Sequence, residues 1–538
     1  MLAAPKERQH GMDQAADPRP VEENAQAAPI LSERYALSAF DFVVVVVLVA
    51  AYLAFYYLPL PTAGVWRDIV IGREILSQSQ IPAHPPLMPL AEASPYRATS
   101  WLADISLALI DRAGGPAAIS LAGTLLAVGY LLFVYFVLCR RSLHPALKLI
   151  ALVLSGLTLL FDWQGINPAL ASIARFAVFL APLALQPRWR QADGLPTVWM
   201  WLISPLAIIA WVNTHSTFIA GPLLAVALAL GVAADVFQAK RSLGETLGDR
   251  RVQAWSWWAQ LCLLVSLLNP WGFSVWSTAI SQIASPLDGS GPLVIFSPLG
   301  GIVAFGVIAY AYLLRRSPVT VYGADVAMFV VAAALAACNT HFVLLYVAAA
   351  IVVCLPLASG VFADAVTAPQ PVPASADNAP RSLRFAYTLL SLLAVWIGFA
   401  LSPISAYVLG GTPRPIAKTV ADPPQGVIQY LHEHSQPRFM FAPVLWSDWI
   451  GYSLNDSPRL FVTSDFELLP QQVKYDYRRL IQGKADWKRV LDRYAIDTLI
   501  IDKTTQADFA IQAVGEVDAQ WSLAWENDRA LILQRRID

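Results

Sequence analysis

The sequence predicts a polytopic α-helical membrane protein of about eleven spans with a small extracytoplasmic α/β domain at its C-terminal end. Of its residues, 57% are hydrophobic and only 14% charged, where soluble domains average about 25% charged. The apolar residues fall into runs of roughly twenty, the length that crosses a hydrocarbon core of ~30 Å. Basic residues collect in the breaks between alternate runs, which orients the spans.

Residues 1–37, rich in Ala, Pro, Gln and Glu, bury too little apolar surface to fold and read as a disordered cytoplasmic tail. The run Phe40–Leu60 is too long for a signal-peptide core, lacks a clear small-residue cleavage site, and reads as an uncleaved first span. Further spans are expected near 115–138, 145–161, 168–187, 197–212, 216–238, 254–270, 294–314, 318–337, 340–360 and 385–408. With eleven crossings the tail's Lys6, Arg8, Arg19 and Arg34 share one side with Arg140-Arg141, Arg188 and Arg190, Lys240-Arg241, Arg250-Arg251, Arg315-Arg316, and Arg381 with Arg384. That side is cytoplasmic. The outer loop 61–114, the turns at 162–167, 213–216, 269–292 and 339–340, and the domain 411–538 then lie on the other side, the periplasm if the membrane is a bacterial inner membrane.

Within the outer loop, WLADISLALIDRAGG (101–115) is too short to span and sets Asp104 and Asp111 among apolar residues, as an interfacial helix does. Beyond 420 the pattern changes. PPQGVIQYLHEHS reads as a helix with prolines at its start, and RFMFAPV, RLFVTSD, DTLIIDK and ALILQRR read as strands. QQVKYDYRRLIQGKADWKRVLDRY reads as two helices broken near Gly483. Alternation of this kind makes a small α/β domain.

A net charge of −1 gives no field to draw nucleic acid, so membrane lipids are the expected surroundings. The four cysteines lie in or beside apolar runs; they imply neither a disulfide framework nor zinc. Chemistry is expected on the outer face. In VWRDIVIGREIL (65–76), Asp68 is flanked by Arg67 and Arg73; a carboxylate there suits a general base and the arginines suit phosphate. The same three also make ordinary surface ion pairs. Arg97 and Asp104 lie further along the same loop. WVNTHSTF (211–218) offers Asn213 and His215, which cap helix ends or equally hydrogen-bond a polar substrate at the membrane boundary; LNPWGFSVW (268–276) offers Asn269 and His341 opens a span, where a stop signal and a helix cap come before substrate binding. Arg175 sits inside an apolar span, where a charge faces a cavity, a partner or a ligand; a lipid phosphate or Asp162 would satisfy it. In the tail, Asp448, Asp465 and Glu467 form no recognisable catalytic constellation, and the acids of VTSDFE read as loop residues or caps.

Four stretches resemble the bacterial branch of the GT-C type membrane glycosyltransferases, relatives of protein O-mannosyltransferases and lipid-A aminoarabinose transferases. WRDIVIGREILSQSQIP resembles the loop after the first span and TSWLADISLAL the juxtamembrane helix that follows. WVNTHSTF and LNPWGF resemble two outer turns, and WSDWIGYSL…RLFVTSD…DWKRVLDRYAIDTLIID resembles the tail domain. The resemblance implies a polyprenyl-phosphate-linked sugar as donor, entering from the membrane, and a glycan, lipid or protein acceptor from outside. A loop acid, matched here by Asp68, deprotonates the acceptor, and transfer inverts the anomeric carbon. Basic groups stabilise the leaving phosphate; on the residues' own placement at one face, Arg67, Arg73 and Arg175 are the phosphate-binding candidates, with His215 lining the site. Some members use a divalent metal held by a second acid after Ile-Pro; here the stretch reads IPAHPPL, with Pro85 at that place. The departure leaves two other readings: an inactive GT-C scaffold of an envelope complex, and a lipid-linked saccharide transporter.

Overall fold

The computed structural model describes residues 36–538 apart from 93–95, 142–143, 164–167, 192, 285–290, 368–380, 411–413, 435–438, 456–457, 483–486, 518–519 and 537–538. The expected tail 1–37 lies almost wholly outside the described residues.

Among the described residues six helices are long and apolar enough to cross a membrane: Ala39–Tyr57, Trp101–Arg140, Ser216–Lys240, Pro298–Arg316, Thr340–Ala363 and Ser382–Ala400. This corrects the expectation of eleven spans. Helices do form near the other expected places, at Pro145–Phe161, Pro168–Leu185, Val198–Val212, Arg250–Val265 and Gly323–Cys338. With 15–18 residues each, they reach about 22–27 Å at 1.5 Å per residue, short of the ~30 Å core. The run 145–161 matches its helix end for end and is itself short; the other four expected runs exceed their helices because flanking residues belong to turns.

The helices share one apolar core. Its largest fully buried side chains include Trp189, Trp211, Trp255, Trp258, Phe176 and Phe179. The expected break between an interfacial segment and a span appears as a kink. Trp101–Phe136 is one helix, interrupted where Gly114 and Gly115 leave helical backbone angles, with Pro116 following.

Two polar ends result. At one, Arg190 pairs with Asp325 at 2.8 Å, Lys240 with Asp249 at 2.7 Å, and Asp235 accepts from the Gly323 amide. At the other, the turns near 213, 268, 283 and 339 tie together. The Trp101 indole donates to Asn213 Oδ1, and Asn213 Nδ2 donates to the Leu268 carbonyl. Asn339 Nδ2 donates to the carbonyl of Ile283.

The C-terminal domain carries a five-stranded sheet of order β2-β1-β3-β5-β4, with β1 Phe439–Phe441, β2 Arg459–Leu460, β3 Thr498–Asp502, β4 Trp521–Glu526 and β5 Ala530–Arg535. β1 runs parallel to β2 and β3, while β5 is antiparallel to β3 and β4. The four strands expected from sequence are present; β4 and the helix Val444–Ser453 are additional.

The outer loop is not a free excursion. Val70 and Leu87 lie in the core on one side of the sheet, Met88 and Ala91 in the core on the other. The Leu460 amide donates to the Leu87 carbonyl at 2.8 Å, and Leu60 forms a parallel bridge with Val420. Loop and tail are therefore packed as one body.

Candidate functional site

The loop helix Val65–Gln78 begins at Gly64, whose φ of +87° is open to glycine and costly for a side chain. Its first amides would be orphans. Asp448, from the tail helix Val444–Ser453, supplies the missing acceptor: Oδ2 takes the Gly64 amide at 2.6 Å and Oδ1 takes the Ser464 amide at 3.1 Å. Aromatic packing seals the joint. Trp66 stacks edge-on to Trp449 at 4.6 Å and lies against Tyr452 at 4.7 Å.

The helix also approaches Trp101–Phe136 very closely. At Gly72 a Cβ would lie 2.0 Å from the Asp104 carbonyl oxygen, so no other residue fits without moving the backbone. This gives a steric reason for the glycine in WRDIVIGREIL.

These contacts gather four acids around one guanidinium. Asp68 is 2% exposed, and its Oδ1 accepts from Arg67 at 2.5 Å and 3.0 Å. The other arm of Arg67 donates to Asp465 at 2.6 Å and to the Ser464 hydroxyl at 3.0 Å. Asp448 and Asp465 add to the field on Arg67 and, outweighing its burial, hold its pKa well above the usual range. Asp104 is fully buried. Its Oδ2 accepts from the Ser100 hydroxyl at 3.1 Å, while Oδ1 has no hydrogen-bond partner among the described residues. Tyr96 completes the cluster; burial, with Asp465 and Asp104 nearby, pushes its phenol well above the usual range, so it stays a neutral donor.

Burial raises the Asp448 carboxyl to about 6, against the pull of Arg67 and the two amides. An acid whose folded pKa is raised favours folding below its unfolded value, and that favour is lost as pH rises through the folded one. Between pH about 4 and about 6 the wild type is therefore expected to lose on the order of 3 kcal/mol relative to Asp448→Asn. Thermal unfolding of both proteins across that window measures it; parallel pH profiles would remove Asp448 from the account.

The candidates named from sequence separate by place. Arg67, Asp68 and Asp104 meet as described. Arg73 is held elsewhere, paired with Asp111 at 2.7 Å and lying over the Tyr452 ring at 4.6 Å, and Tyr452 in turn donates to Asp111. Asn213 spends its amide on Ile209, Leu268 and Trp101. Asn269 spends its own on Ser266, Gly272 and Trp271 within its turn. His215 and His341 face each other edge-on at 5.5 Å, and His215 Nδ1 meets Thr217, which donates to Ser172. Arg175 lies on the same helix as Ser172, one turn deeper and partly exposed. Asp448, assigned by sequence to no catalytic constellation, and Asp465, expected as a loop residue or cap, are the residues sequence reasoning missed. A lone Asp inside the aromatic run LWSDWIGY was the available signal.

Above the cluster a cavity of about 550 Å³ opens between the outer loop, the helix Ser274–Ala284 and the tail turn 465–474. Arg67, Tyr96, Arg97 and Asp465 line it. A divalent metal needs several converging ligands. Among the described residues no three His, Cys, Asp or Glu side chains are grouped so as to hold a metal ion, and the acids gathered here already face the Arg67 cation. This donor set does not fit a metal, and no step below is routed through one.

No family model matches the sequence, and no curated protein matches it. Solved structures do. The archaeal oligosaccharyltransferase AglB from Archaeoglobus fulgidus, in complex with an inhibitory peptide and a dolichol-phosphate, matches at TM-score 0.51 and 11% identity over 88% of this chain and 71% of that one. ArnT from Cupriavidus metallidurans bound to undecaprenyl phosphate matches at 0.46 and 14%, over 92% and 98%. The arabinosyltransferase EmbB from Mycobacterium smegmatis matches at 0.39 and 12%, over 90% and 45%. Of these three, the first exceeds a TM-score of 0.5, and at such identity it speaks for fold alone: the chain has the polytopic GT-C type membrane fold.

Proposed function

We propose that the protein transfers a sugar from a polyprenyl-phosphate donor to an acceptor on the extracytoplasmic face of a bacterial inner membrane, its N-terminus being cytoplasmic. The observation that carries this reading is a buried acid, Asp68, bonded to Arg67, a guanidinium that itself lines a cavity between the outer loop and the tail. Asp68 is the general base. It takes the proton of the acceptor hydroxyl as that oxygen bonds to the anomeric carbon. The carbon–oxygen bond to phosphate breaks with its electron pair, polyprenyl phosphate leaves, and the configuration inverts. Arg67 must release Asp68 for this, and Asp465 holds the guanidinium when it does. Asp104, fully buried beside Asp68, is the companion acid of the site. Arg175, a partly exposed cation in the apolar helix Pro168–Leu185, is the partner for the donor phosphate.

Native mass spectrometry of the detergent-purified protein tests the class: a co-purifying prenyl-phosphate sugar is expected, and its discharge on adding acceptor. A second reading, a scaffold that has lost turnover, is favoured by the tight closure of Arg67 over Asp68. Co-purification of a stoichiometric protein partner with no lipid-linked sugar would decide for it.

A further inference from the structure

We infer that the cavity above Asp68 receives an acidic saccharide, its anionic group anchored on Arg97. The inference rests on the sugar-transfer reading and adds the chemistry of the acceptor.

Three cations line the cavity: Arg67, Arg97 and Lys474. Arg67 is balanced by Asp68 and Asp465, and Lys474 by Glu467 at 2.5 Å. Arg97 is not balanced. Its hydrogen bond goes to the neutral Thr278 hydroxyl at 3.0 Å, and among the described residues no carboxylate pairs with it. A guanidinium carries five N–H donors in a planar fork matched to a carboxylate or a phosphate. One arm is fixed on Thr278, which holds the rest in place for an incoming anion.

The wall that Arg97 touches fixes the rest of the ligand. Ser277, Thr278 and Ser281 each donate their hydroxyl proton back to their own helix, to the carbonyls of Ser274, Ser274 and Thr278. What they have left to offer is oxygen lone pairs. Such a wall asks for a ligand rich in O–H donors. A sugar ring brings several hydroxyls, whereas a peptide backbone brings one N–H per residue. A hydroxyl-rich molecule with one negative group meets both demands, and the neutral phenol of Tyr96 adds a ring edge on which a sugar can rest.

The test uses the full-length protein in detergent at about 0.1 M salt, without donor. The probes are a galacturonate trisaccharide and its neutral galactose counterpart, titrated by calorimetry. The acidic probe is expected to bind about tenfold tighter, the scale of one charge-assisted contact. Arg97→Gln should bring the two affinities together, and Arg97→Lys, which keeps charge but not the fork, should retain part of the difference. Equal affinities in the wild type would overturn the proposal, as would a preference that survives Arg97→Gln. A triglutamate peptide binding as tightly as the acidic sugar would overturn the saccharide assignment. If Arg97→Gln weakens capture of a polyprenyl phosphate and leaves both trisaccharides alone, the anchor serves the donor and the proposal fails. Acid preference without release of polyprenyl phosphate from a lipid-linked sugar would sink sugar transfer while leaving the anionic site standing.

Discussion

Asp68→Asn is expected to lower turnover by about 10² to 10⁴, the usual worth of a positioned general base. The substitution is chosen for what it preserves. An asparagine oxygen in place of Oδ1 still accepts from both Arg67 nitrogens, which bond it at 2.5 Å and 3.0 Å, so the loop helix keeps its seat. What it cannot do is take a proton. The loss should therefore appear in kcat with KM nearly unchanged, the pattern of an interaction made in the transition state alone. Assay of purified variant with a lipid-linked sugar and acceptor measures it. Asp104→Asn, one step back from the reacting atoms, should fall between the two. Full transfer by Asp68→Asn would end the assignment of this residue as base.

The second large effect falls on stability. Arg67 is the common counter-ion of Asp68 and Asp465, and its side chain is 22% exposed. Removing one partner of a buried ion pair leaves an uncompensated charge and costs roughly 3–5 kcal/mol. Arg67→Ala takes the shared cation from two acids with a third, Asp448, close by, so the cost should reach about 3 kcal/mol even after allowance for solvent. The signature is in the double variant. If the cluster acts as a unit, Asp465→Asn should recover part of what Arg67→Ala loses, giving a coupling of about 1 kcal/mol or more. Strict additivity of the two changes in thermal unfolding would mean that tail and loop are not electrically joined.

The contrast between what sequence revealed and what it hid has a physical basis. Apolar runs, strand-like runs and the glycine break at 114–115 are local patterns, and they were legible. Span length was less so, because hydropathy does not mark where a helix stops and a polar turn begins: Val198–Val212 ends at Asn213, which caps and cross-links. Asp68 was legible as a candidate because Arg67 adjoins it in the chain. Asp448 and Asp465 were not, since their partners lie 384 and 398 positions away. No local period encodes such a meeting. Only the aromatic trio Trp66, Trp449 and Tyr452 carries it, and aromatic residues are abundant throughout this chain. Arg73 misled for the same reason: it shares a motif with Asp68 but turns toward Asp111 and Tyr452.

The packing of loop and tail has a consequence for biogenesis. Ribosomes extend chains at roughly 5–20 residues per second, so the 398 positions between Arg67 and Asp465 correspond to about 20–80 s of translation. Throughout that interval the nascent loop stands on the far side of the bilayer with half its apolar support unmade. The tail's strands, made later, complete a loop exported earlier. A cell making this protein must shield an immature hairpin for the better part of a minute, and a chain stopped early would strand it there, marked for proteolysis.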